Sequence, residues 1–164
     1  MTGPERITLS APITDAGLLP PLVAAMRAKI LQACRKGEVE ALRVPIDWNE
    51  VRPLFERGGR RPAGTDPIAI LKDLSFDGQG RESVLLLRAA LGQACIKESR
   101  AGRDIYVWPG FALAPPPAPT DDERQVMLAC VRFAALRRLG SGPPPVCRVG
   151  VGGDGVWHYF WDEA

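Results

Sequence analysis

Residues 147–163 read CRVGVGGDGVWHYFWDE, and the fold is decided by how this stretch pairs. Two short runs, 148–151 and 156–161, flank Gly152-Gly153-Asp154-Gly155. An Asp-Gly between β-prone runs predicts a hairpin, because glycine accepts the positive φ of a tight turn. Strict alternation along the second run sends Trp157, Tyr159 and Trp161 to one face, with His158 and Phe160 on the other. A hairpin is marginal in isolation, so this aromatic ribbon requires a larger sheet or a helix to lie on.

Working outward, residues 94–99 and 104–108 flank Arg100 to Arg103, whose Ala101-Gly102 centre predicts a second hairpin. Pro109 ends it, lacking the N–H a ladder needs. Between the two hairpins, Pro115, Pro116, Pro117 and Pro119 form a stiff connector. Thr120-Asp121-Asp122-Glu123 is then a capping box that starts one long helix over residues 120–139. Upstream, Pro20 and Pro21 suit a helix first turn, followed by Leu22, Val23, Met26, Ile30, Ala33 and Cys34 at helical spacing up to Gly37. A short second helix covers 38–43. Asp66-Pro67 starts a helix over 67–74, and another runs over 81–91 to Gly92.

The expected fold is α+β: N-terminal helices plus a four-stranded antiparallel sheet formed by two hairpins, with one long helix between them in sequence. Residues 1–19 read as a flexible N-terminal arm holding one short extended piece at 7–10. Residues 20–164 read as a single α+β domain.

Composition narrows the function classes. The apolar fraction is 46%, the charged fraction 24% and the net charge +2, so the balance as a whole does not point to nucleic acid. No run of eighteen apolar residues is present to span a membrane. The N-terminus lacks a basic segment followed by an apolar one, which predicts a cytoplasmic location. Cys34, Cys95, Cys130 and Cys147 are widely spaced, and with one histidine in the chain no metal site or cofactor is expected. Cys34 and Cys130 read as buried apolar residues; Cys95 and Cys147 both fall at strand starts, where a disulfide is conceivable.

Three groups of residues can carry function. Tyr106, Trp108, Trp157 and Tyr159, with Trp161, would line one apolar wall if their strands are adjacent, either as core or as a ligand pocket. His158 is the only histidine, and Asp104 or Glu98 on the other hairpin could orient it for acid–base chemistry; no Ser or Cys nucleophile motif accompanies it. Arg52, Arg57, Arg60 and Arg61 form the one basic cluster, a solvated loop or an anion site made mobile by Gly58-Gly59. Asp77-Gly78-Gln79-Gly80 lacks the further acidic ligands of a calcium loop and reads as a helix-start turn capped by Asp77. Residues 150–155 contain a GxGxxG pattern, but no helix follows, so no dinucleotide site is expected.

Three blocks resemble a family of uncharacterised alphaproteobacterial proteins: residues 66–69 with 76–82, residues 106–112 (YVWPGFA), and residues 148–160 (RVGVGGDGVWHYF). The resemblance covers most of residues 20–161 and implies one fold unit, without an activity. Members often carry an export signal and end in a valine/alanine–glycine–aspartate tail; this sequence ends Trp161-Asp162-Glu163-Ala164. A weaker likeness, carried by residues 36–42 and 154–157, is to the nuclear-transport-factor-two-like cone fold, which implies a curved sheet around a pocket. Three functions follow. The first is a non-catalytic binding or accessory domain that uses the aromatic sheet face for a small apolar ligand or a protein partner. The second is a small cone-fold enzyme with His158 and Asp104 as the pair. The third is anion or nucleic-acid binding through the Arg52 to Arg61 loop.

Overall fold

A computed structural model describes residues 3–59 and 61–162. The predicted hairpins form and join into one antiparallel sheet. Its strands are β1 (Ile7–Leu9), β2 (Ile96–Arg100), β3 (Arg103–Trp108), β4 (Arg148–Gly152) and β5 (Trp157–Trp161), in that spatial order. The sheet therefore has five strands where the sequence predicts four. The fifth is the short extended piece of the N-terminal segment: Ile7, Thr8 and Leu9 pair with Arg100, Ser99 and Glu98. Three residues carry too weak a pattern to announce a strand by themselves; the unpaired edge of β2 is what recruits them.

The helices α1 (Pro21–Arg35), α2 (Arg43–Trp48), α3 (Pro67–Leu74) and α4 (Arg81–Leu91) precede β2. The start signals hold. Asp66 accepts from the Ile68 amide ahead of Pro67 at the head of α3. Thr120 and Glu123 form both halves of the capping box at the head of α5 (Asp121–Leu128). Asp77 accepts from the amides of Gln79, Arg81 and Glu82 at the head of α4. Burial opposes its charge, yet these amides prevail and hold the Asp77 carboxyl below its ordinary value.

The single helix predicted over 120–139 is instead two, α5 and α6 (Phe133–Leu136), with Arg132 extended between them. Apolar spacing is helical on both sides of the break, so periodicity cannot reveal it. Tertiary partners impose it. The Cys130 carbonyl accepts from the Cys147 amide at 2.7 Å, and the Phe133 amide donates to Glu82 Oε2 at 2.9 Å. Those bonds replace the intrahelical ones the backbone gives up.

One face of the sheet is the core. Tyr106, Trp108, Val149, Val151, Trp157 and Phe160 pack there with Val23, Met26 and Ile30 of α1 and Leu87 and Leu91 of α4. A smaller cluster of Met127, Cys130, Val131, Ala135 and Val146 sits under α5 and α6. All four cysteines are buried and free, so Cys95 and Cys147 are not bridged.

Candidate functional site

Strict alternation fails on β5, and the failure places the site. The β4–β5 register shifts by one between Gly150 and Val151: Gly150 faces Tyr159, but Val151 faces Trp157. This is a β-bulge, which puts one extra residue on the bulged strand and re-aims its side chains. Trp157 and Phe160 consequently both point into the core, each with no exposed surface. Tyr159 and Trp161 point the other way. The expected wall is thereby corrected: Tyr106, Trp108 and Trp157 are core residues, and Tyr159 lies on the opposite face of the sheet with Trp161.

The loop between α2 and α3 secures this geometry. Leu54 donates to the His158 carbonyl and accepts from the Phe160 amide, at 2.9 and 2.8 Å, along the outer edge of β5. The Asn49 side chain accepts from the Trp157 amide at 3.0 Å and donates to the Trp157 carbonyl at 2.7 Å, replacing a neighbouring strand. Phe55 packs edge-on against Trp157, ring centres 5.6 Å apart.

On the outer face, Tyr159 and Trp161 stack in parallel, their rings 4.2 Å apart at 9°. Gly150 is required beneath them, since a Cβ there would stand 2.4 Å from the Tyr159 ring. Around the pair lies a hollow of about 380 Å³, lined also by Arg57, Glu98, Arg100, Arg103, Ile105 and Arg148. Four arginines and one glutamate thus line it, on a chain whose whole net charge is +2. Arg148 is anchored by donating from Nη2 to the Ala112 carbonyl at 3.2 Å. Burial lowers its pKa from the ordinary arginine value. Burial also pushes the Tyr159 hydroxyl up to about 12, with Arg148 opposing the shift and Glu98 adding to it. Trp161 Nε1 is buried and finds no acceptor among the described residues.

The other candidates are distributed elsewhere. Arg61 is held by Glu56 at 2.7 Å and Asp73 at 2.9 Å. Arg52 donates to the Thr65 carbonyl. Arg60 lies outside the described residues. Among the described residues of the basic loop, Arg57 alone reaches the outer-face hollow. Arg52 and Arg61 do line one hollow together, but Arg61 is engaged there by acidic neighbours 5 and 12 residues away. His158 and Asp104 do line one hollow of about 690 Å³ at the β4–β5 turn, with Asp154. No hydrogen bond or ion pair joins them among the described residues; Asp104 instead accepts from the Ser99 hydroxyl at 2.6 Å. Burial pushes the thiols of Cys34, Cys130 and Cys147 up to about 12 and that of Cys95 to about 11, far from thiolate chemistry near neutral pH. Among the described residues no group of three or more His, Cys, Asp or Glu stands close enough to hold a metal ion. No helix there is long and apolar enough to cross a membrane.

Sequence reading missed Glu98, Arg100, Arg103 and Arg148 as members of one site. Alternation from Ile105 would have placed Glu98 opposite it on the same face, but nothing local ties Arg148 or Arg57 to that face. No family model, no curated protein and no solved structure matches this chain.

Proposed function

We propose that this chain works as a binding domain whose site is the outer sheet face, and that its ligand joins an anionic group to a planar apolar one. The observation that carries this reading is the Tyr159–Trp161 stack in a hollow also lined by four arginines. Stacked aromatic rings offer a flat apolar surface, and guanidinium groups suit carboxylate or phosphate. The aromatic contribution comes from Tyr159 and Trp161; Tyr106, Trp108 and Trp157 shape the sheet beneath. The acid–base reading has less support, since Asp104 is engaged by Ser99.

Phenyl phosphate serves as the test ligand, titrated by calorimetry at low and high salt. Arg57 and Arg103 are exposed at the rim, so Arg57→Ala and Arg103→Ala leave the fold intact. Each should weaken binding several-fold, and rising salt should weaken it further. Absence of binding, or binding indifferent to salt and to both substitutions, overturns the proposal.

A further inference from the structure

Resting on the outer face as the binding site, we infer that its ligand is a nucleotide unit: a phosphate joined to a base that carries an exocyclic amino group. Three features of the hollow combine to select this chemistry. The first is the carboxylate. Glu98 lines the hollow, where its charge is felt by Arg148 and Tyr159, but among the described residues its side chain accepts no hydrogen bond. A ligand with phosphate and ring alone leaves that carboxylate without a donor. A ligand that is negative at one end and carries an N–H donor at the other satisfies the arginines and Glu98 together. Carboxylates accept from the amino group of cytosine in this way.

The second feature is the stack. Trp161 is partly buried, with one ring face laid parallel on Tyr159. A base added to such a pair extends it, and stacking of this kind tolerates any base while favouring planar ligands over saturated ones. The third is the spacing of the arginines. Arg148 opens β4, level with Trp161, whereas Arg100 and Arg103 face each other at the opposite end of the sheet. At about 3.3 Å per residue these ends are separated by roughly 20 Å along the strands. That span exceeds one nucleotide, so flanking phosphates of a single strand would meet the outlying arginines.

The test uses the full chain at low salt, with CMP, UMP, phenyl phosphate, tyrosine and a cytidine pentanucleotide as probes. CMP should bind at least fivefold more tightly than UMP, which differs in lacking the amino group. Trp161→Ala should weaken CMP at least tenfold, and Trp161→Phe, which keeps a ring on Tyr159, should recover most of that loss. Glu98→Ala should level CMP and UMP, with UMP tightened because a repelling charge is removed. A pentanucleotide tighter than CMP by tenfold or more identifies a single strand as the source of the unit; equal affinity identifies the free nucleotide. Phenyl phosphate or tyrosine binding as well as CMP, with the CMP/UMP ratio unmoved by Glu98→Ala, overturns the nucleotide inference and leaves the binding face standing. If none of the probes binds, the inference and the proposed function fall together.

Discussion

Replacing Glu82 by alanine should destabilise this protein more than any surface charge change, although Glu82 reads in the sequence as an ordinary first-turn helix residue. Its side chain is 13% exposed and meets that of Arg132, 7% exposed, at 3.2 Å. Arg132 Nη1 also donates to the Leu74 carbonyl and the Ser83 hydroxyl, and its guanidinium lies 5.5 Å from the Phe160 ring centre. Glu82 in turn accepts from the Phe133 amide that opens α6. Removing the carboxylate leaves a buried guanidinium with neutral partners only, at a cost of about 3–5 kcal/mol. For a chain of this length about 2–4 °C of melting temperature accompanies each kcal/mol, so the loss should be about 6–20 °C. Arg132→Met should cost less, because the abandoned carboxylate keeps its amide donor. The double variant should be less destabilised than the two single losses combined, since no orphaned charge remains. Urea unfolding followed by near-ultraviolet circular dichroism measures all three. A Glu82→Ala loss below about 1 kcal/mol, or additivity within about 0.5 kcal/mol, would refute the claim that Glu82 and Arg132 act as a coupled buried pair.

Three further predictions address the frame around the site. Asn49→Ala leaves the Trp157 amide and carbonyl without their partners and should cost about 1–3 kcal/mol in urea unfolding; hydrogen exchange at Trp157 should accelerate, and an unchanged rate contradicts the strand-replacing role. Gly80→Ala meets both a φ of +83° and a Cβ 2.6 Å from Val39, each worth about 1–3 kcal/mol, so a melting temperature within a degree of the parent would be incompatible with the packing described. Stability should fall as pH rises from about 9 to 12, because buried Cys34, Cys130, Cys147 and Tyr159 stay protonated in the folded state while the unfolded state loses those protons. Each such group contributes a slope of about 1.4 kcal/mol per pH unit; denaturant midpoints that stay flat up to pH 11 would rule it out.

Local chemistry made several elements readable in advance. Asp66-Pro67, Asp77 and the Thr120–Glu123 box act within one turn of chain, so their hydrogen bonds depend on little else. The two hairpins were equally legible, from glycine at the turns and β-prone runs beside them. The outer-face hollow was not. It joins Arg57 from a loop, Glu98 from β2, Arg148 from β4 and two rings from β5, and only long-range pairing brings these together.

By itself, then, the sequence determined the α+β class, several helix starts and the two hairpins, since these follow from spacing and from residue-specific backbone preference. Tertiary structure alone decided which face each aromatic takes. One extra residue on β5, His158, opposite the Gly150–Val151 step of β4, turns Trp157 inward and leaves Tyr159 and Trp161 outside. It also decided that Arg132 interrupts a helix, because the Glu82 carboxylate and the Cys147 amide offer the freed backbone and the buried charge partners no neighbour in sequence can supply.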